Sequence, residues 1–452
     1  MTVRNRVAFV GVALLAVVTG ACTQETVTVT RTSAAPTVPP TSSPGPLAIP
    51  QIEPGGAATA AGAIRALCVP PEDPDQQVVR PGDVPPEIAE VMDQVEQVRG
   101  LSFRGAPAAE AISDEEMDRR LAENFETYYP EEPFARRTFA WRTLGVIPPD
   151  ADLREALRSY MTGQVVGYYD PATGELVYLG EGDLGLEERY VLSHELTHAI
   201  DDQHFDLGRL DPLAAECRDE EFQAALGAVE GSAQYFATEL LVEFPELDLG
   251  DLADALGEAL GESRGASDVP PFVQELQLWP YFAGQAFMLE RALEGGDGAI
   301  DDALESLPAT TEQVLHPEAY PTDRPTPVDI PDLSRAFGEG WGDLDAMQVG
   351  EAWLAAMLHL RLDDATSDDA AAGWDGGVYR AWSNGSEVVV VVRTAWDSSA
   401  EADGFAAALR TWIDAGDLPA EGLRDGDEIT LVAATGPERL DDLVEGLDAI
   451  TI

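Results

Sequence analysis

Residues 84–160 carry apolar positions at mostly helical spacing. Two stretches there read as helix starts, Ser113-Asp114-Glu115-Glu116 and Asp152-Leu153-Arg154-Glu155, each an oxygen-bearing cap followed by acid in the first turn. The period then shortens. Gln164 to Asp170 and Glu175 to Leu179 are β-branched and aromatic runs flanking Pro171-Ala172-Thr173-Gly174, which predicts a β-hairpin. Leu186 to Phe205 and Asp219 to Val242 each read as one long helix, and Phe272 to Leu307 holds further helical material. Pro308 to Pro331 is Pro-rich and reads as irregular.

Beyond residue 336 the pattern changes again. A helix near Met347 to Leu362 precedes strand-like Tyr379 to Trp382, a strand over Glu387 to Arg393 and a helix over Ala400 to Ala415. A strand over Glu428 to Ala433 and a helix over Pro437 to Leu447 follow. The expected fold class is therefore α+β: a mainly helical domain over 76–335, with a hairpin ahead of its key helix, and a small C-terminal α+β domain over 336–452.

The N-terminus adds a location. Arg4 and Arg6 precede an apolar run from Val7 to Val18 and the small residues before Cys22, so residues 1–21 read as an export signal. Cleavage before Cys22 resembles bacterial lipoprotein processing, with Thr19 where that pattern usually carries Leu. The expectation is an extracytoplasmic protein held to the membrane only through a lipidated Cys22, with simple secretion as the alternative. Residues 22–75, rich in Thr, Pro, Ser, Ala and Gly, bury too little to offset chain entropy and read as a tether. Cys68 and Cys217 remain, and in an oxidising compartment they are expected to pair.

With 45% hydrophobic residues the body should fold, but 83 acidic residues stand against 27 basic ones, all Arg. A net charge of -56 repels nucleic acid and anionic lipid, which excludes both as partners of the folded body. It reads as a whole-surface adaptation to salt rather than as a site.

The chemistry sits in residues 191–200, VLSHELTHAI. His194 and His198, four apart on a helix, share a face and can bind one ion, while Glu195 flanks that face as the general base. A catalytic zinc needs a third protein ligand. His204 has the spacing metzincins use, but those turn the chain back at a Gly where this chain has Asp201. Glu230, in an apolar stretch of the next helix with Gly231 beside it for close helix approach, is the other candidate.

The stretches GYYDPATGELVYL, HELTHAIDDQHFDL, AVEGSA and TTEQVLHPEAY resemble a family of exported bacterial zinc metallopeptidases of gluzincin type. The resemblance spans about residues 164–325, with a weaker echo in GWDGGVYRAW and TAWDSSAEADGF. It implies a zincin-like fold, Zn2+ held by His194, His198 and Glu230, and Glu195 as general base; the family usually carries an acid where Ser232 stands. His316 and Tyr320, in the irregular segment, are the candidate donors to a developing oxyanion. The hairpin offers an edge strand for an extended peptide. The expected activity is hydrolysis of a protein or peptide substrate; a zinc hydrolase of other amides and a non-catalytic lipoprotein braced by metal are the alternatives.

Overall fold

A computed structural model describes residues 48–70, 84–161, 165–179, 185–244, 269–416, 418–437 and 440. The export signal, Cys22 and most of the helix expected over Pro437 to Leu447 lie outside them. The architecture is mixed α+β and mainly helical, with a C-terminal sheet. No described helix is long and apolar enough to cross a membrane.

The first half holds helices α1 (Ala60–Leu67), α2 (Pro86–Arg99), α3 (Asp114–Tyr128), α4 (Glu131–Leu144) and α5 (Leu153–Met161). Ser113 caps α3 through the Glu116 N–H, and Asp152 accepts from the Arg154 and Glu155 N–H groups at the start of α5. The expected hairpin forms as β2 (Gly167–Asp170) and β3 (Glu175–Leu179), with Gly174 in the left-handed region at the turn. One strand was hidden in the region read as helical: β1 (Ala108–Ile112) pairs parallel to β3, giving the order β1-β3-β2 and leaving β2 at an edge.

Helix α6 (Leu186–Phe205) runs over the range its pattern predicts and ends at Asp206, whose φ of 60° closes the helix. After α7 (Asp211–Ala215), α8 (Asp219–Glu243) packs on α6. The helical material over 272–307 is two elements, α9 (Pro271–Gly295) and α10 (Asp297–Glu305), parted at Gly296 with φ 66°. Gly231 does permit a close approach, but its partner is Gly284 on α9 rather than α6. The Pro-rich stretch is irregular apart from α11 (Thr311–Leu315).

The C-terminal part is an antiparallel sheet in the order β4-β5-β6-β8-β7, formed by Gly342–Gln348, Trp374–Ser383, Val388–Trp396, Glu428–Ala434 and Ala420–Asp425, in that spatial order. Met347, expected to open a helix, belongs to β4; the helix, α13 (Glu351–His359), starts only after Gly350. The others in this region are α12 (Ser334–Phe337), α14 (Asp364–Ala371) and α15 (Ser399–Asp414). Packing does not break at residue 336. Trp141 of α4 meets Phe272 of α9 edge-on at 5.1 Å, and Phe272 meets Trp353 of α13 at 5.3 Å, within one core that reaches Val390 and Trp412.

The tether reading is corrected between Gly55 and Cys68. Gly55 N–H donates to the Trp341 carbonyl, Ala57 N–H to Asp343, and Arg380 to the Ala57 carbonyl, while Ala60 and Ala63 are buried. The segment is ordered by backbone bonds to the sheet, a contribution that composition cannot register. Cys68 and Cys217 form a disulfide that ties this segment to the turn before α8.

Candidate metal centre

From Tyr190 to Asp201, α6 is buried on every side. A helix in that position normally carries only apolar residues, so each polar one must be satisfied. Ser193 and Thr197 hydroxyls donate back to the Tyr190 and Ser193 carbonyls. His194 and His198 bring their Nε2 atoms to 3.1 Å of each other, and Glu230 of α8 places Oε2 at 3.2 Å from the first and 3.4 Å from the second. None of these three, nor Glu195, is more than 3% exposed.

These residues fit a metal. Ligand atoms 2.0–2.2 Å from a tetrahedral ion stand about 3.3 Å apart, and the observed triangle has edges of that length. Among the described residues this is also the group of His and carboxylate side chains whose ligand atoms converge on one point. Electrostatics agrees. Burial holds the His194 imidazole below its usual pKa; burial also works against His198, but the Glu230 carboxylate outweighs it and lifts that group to about 9. Burial would raise Glu230, yet the two imidazoles bring it down to about 2. The pocket therefore favours positive charge, which a bound cation supplies while displacing the proton.

Glu195 does not join the triangle. Its Oε2 accepts the Tyr169 N–H at 2.7 Å, and the Tyr169 hydroxyl donates to Asp202 at 3.0 Å, so edge strand β2 is clipped to α6 at two points. The strand's pleat explains this. Val166 and Asp170 turn their carbonyls toward the hairpin, so Tyr169 and Gly167 between them face outward.

His204 is excluded as a ligand by the continuation of α6. Its Nε2 lies 2.9 Å from the Ser102 carbonyl and its Nδ1 3.4 Å from the Arg104 guanidinium, both away from the triad. Asp201, where a chain reversal would be required, is instead a buried helical anchor: Arg99 Nε donates to one oxygen and the Ser232 hydroxyl to the other, each at 2.7 Å. Ser232 thus has a defined role. A carboxylate at its position would confront that of Asp201; the hydroxyl donates to it.

The structure does not bring His316 and Tyr320 to this centre. His316 Nε2 pairs with Glu351 Oε1 at 2.8 Å, and the Tyr320 hydroxyl donates to the Ser306 carbonyl at 2.7 Å. Both assignments are corrected: loop position carried no information on direction. Two phenols that pattern reading missed lie near the triad instead. The Tyr281 ring lies 6.1 Å from that of His194 at an interplanar angle of 26°. Tyr160, at the end of α5, is buried within electrostatic reach of Glu230, and its hydroxyl has no hydrogen-bond partner among the described residues. Burial first, then the Glu230 charge, raises both phenols, so they stay protonated and able to donate. Tyr281 shares a helical stripe with Gly284 and Met288, the one available signal that it faces inward.

A family model described as a domain of unknown function (DUF8575) matches residues 335–444, the sheet-bearing C-terminal part. No curated protein and no solved structure matches the chain.

Proposed function

We propose that the chain is a zinc-dependent peptidase with a zincin-like catalytic domain, acting outside the cytoplasmic membrane. The observation that carries this reading is the buried His194–His198–Glu230 triangle of tetrahedral dimensions with a separate carboxylate, Glu195, beside it. A bracing metal calls for a protein atom in the fourth position; among the described residues no fourth group joins the triangle, and Glu195 is held by a backbone N–H instead. The disulfide supports an oxidising compartment. A lipid anchor at Cys22 remains part of the proposal.

His194, His198 and Glu230 would hold the ion, which supplies Lewis acidity toward water and toward a carbonyl oxygen. Glu195, steadied through Oε2 by Tyr169 N–H, takes a proton from the attacking water at Oε1 and passes it to the departing amide nitrogen. Tyr160 and Tyr281 donate hydrogen bonds as negative charge grows on the carbonyl oxygen. Outward-facing Gly167 on the edge strand offers its N–H and C=O to an extended peptide backbone.

Elemental analysis of purified protein, paired with cleavage of an unfolded protein by wild type and Glu195→Gln, tests the reading. One zinc per chain and cleavage by wild type alone are expected. Zinc without cleavage of any polypeptide would favour bracing, cleavage of small amides only would favour an amidase, and absence of zinc would end the proposal.

A further inference from the structure

Helix α9 presents a second face. Tyr281, Gly284 and Met288 turn toward α8 and the triad, whereas Leu278, Phe282, Leu289 and Leu293 fall on a different stripe of the same helix. That stripe is solvent-facing at its far end, where Leu289 is 48% and Leu293 78% exposed. At its near end it borders a groove of about 680 Å³ at the junction of α9, α11, α13 and α14.

Two chemistries line the groove. Leu278, Trp279 and Phe282 of α9, with half-exposed Leu315 of α11, make an apolar wall. Beside it are the carboxylates of Glu275, from α9 itself, and of Glu351, Asp368 and Asp369 from α13 and α14, with His316 and His359 among them. No Arg lines it. That is notable in a chain whose Arg side chains neutralise carboxylates elsewhere on the surface, as Arg119 does with Glu116 and Arg424 with Asp403. His359 is bonded to both Glu275 and Asp368, and one imidazole cannot neutralise two carboxylates.

Glu351 supplies an independent sign of a missing partner. It is 3% exposed, its Oε1 is taken by His316, and its Oε2 is buried with no hydrogen-bond donor among the described residues. A carboxylate oxygen held away from water and left unpaired is unfavourable unless something supplies a donor. These side chains do not converge as metal ligands do. A second copy of a chain with net charge -56 is repelled.

We propose that this groove is a docking site for a polypeptide segment presenting a basic side chain beside large apolar ones. The cation would lie against Glu351 and Asp368 and the face of Trp279, and the apolar residues along Leu278, Phe282 and the exposed leucines. The site stands on the face of α9 away from the triad and does not depend on the metal reading.

The test is fluorescence anisotropy at 0.15 M salt with full-length protein and three labelled peptides of roughly twelve residues sharing one leucine pattern, with Arg, Gln or Glu at the polar positions. The Arg peptide should bind, and the Gln and Glu peptides should bind at least about tenfold more weakly. Glu351→Gln, and separately the exposed pair Asp368→Asn/Asp369→Asn, should each weaken the Arg peptide by about tenfold or more, as should Phe282→Ser. A remote pair, Glu421→Gln/Asp425→Asn, should leave it unchanged. Thermal melting of every variant identifies loss of fold, and the exposed pair keeps the test sound should Glu351→Gln unfold. If the groove variants match the remote pair, the attraction is that of the whole acidic surface and the proposal is overturned. Equal binding of Arg and Gln peptides by wild type overturns it as well.

Discussion

Gly284→Ala isolates the contact on which the relation between α8 and α9 depends. A Cβ built on Gly284 would sit 1.9 Å from the Gly227 carbonyl oxygen and 3.0 Å from Gly231 Cα. Carbon and oxygen tolerate about 3.3 Å at closest ordinary approach, so the two backbones would have to part by more than about 1 Å. Backbone atoms have no rotamer to escape into. Overpacking of this kind costs about 1–3 kcal/mol, and the absence of a yielding side chain puts this one near the upper end. The direction of the shift also follows. Helix α8 is fastened to α6 through Ser232 and Asp201, so α9 is the element that gives way. The triad should therefore keep its metal, while Tyr281 withdraws from His194. Urea unfolding followed by tryptophan fluorescence should give a loss of about 2–3 kcal/mol with an unchanged slope. Zinc content should remain at wild-type level, and peptide turnover should fall by about 10²-fold, as for a reacting group displaced by 1 Å. Gly404→Ala is the control, since a Cβ there meets nothing within 4 Å on helix α15. It should stabilise by about 0.4–1 kcal/mol. Wild-type stability in Gly284→Ala would mean the helices do not cross at this distance, and the reasoning would fail at its first step.

Glu230→Gln should abolish stoichiometric zinc binding, whereas Glu195→Gln should retain the ion and lower kcat by about 10²–10⁴; loss of zinc in both would remove the distinction between ligand and base. Glu220 offers a pH test away from the centre. Burial raises its carboxyl to about 7 against the Thr311 hydrogen bonds, which work the other way. An acid whose folded pKa lies above its unfolded value loses stability as pH rises from the unfolded to the folded pKa, here between about 4.5 and 7. Glu220→Gln keeps the acceptor for Thr311 and should be more stable than wild type by roughly 3 kcal/mol at pH 8 and equal to it at pH 4; a constant difference across that range would refute the assignment. Cys68→Ser/Cys217→Ser opens a link across 149 residues and should lower stability by about 3–5 kcal/mol, measured as the shift in urea midpoint. An unshifted midpoint would mean that the N-terminal segment adds nothing to the fold.

What could be read in advance was local in sequence. Helix α6 was legible along its length because its pattern and its motif lie within one segment, and the hairpin because its turn carries a Gly at the position that needs one. The triad was legible for a related reason: two of its members share a helical face, and the third stood out as an acid in an apolar stretch. What failed was direction. His316, in a loop rich in functional residue types, was assigned to the centre, yet it sits 35 residues before its real partner, Glu351, on the far side of α9. The edge strand β4 was misread because it is ordered by pairing with β5 across helices α13 and α14, and the segment from Gly55 to Ala63 because hydrogen bonds to residues nearly 300 positions away order it; composition is blind to both.

Ser232 marks where the two kinds of information meet. Against the resemblance it was an unexplained departure, a missing acid beside the third ligand. In the fold it completes a buried line, Arg99 to Asp201 to Ser232, built from residues 102 and 31 positions apart on three helices. Arg99 also reaches Asp301, so the guanidinium is shared between two carboxylates and Asp201 needs a second donor. The hydroxyl supplies it. That line fixes α8 against α6 one turn from His198, and so holds Glu230 at ligand distance. The Asp201 that sequence spacing offered as the point of chain reversal is therefore the residue that keeps His204 out of the centre and Glu230 in it.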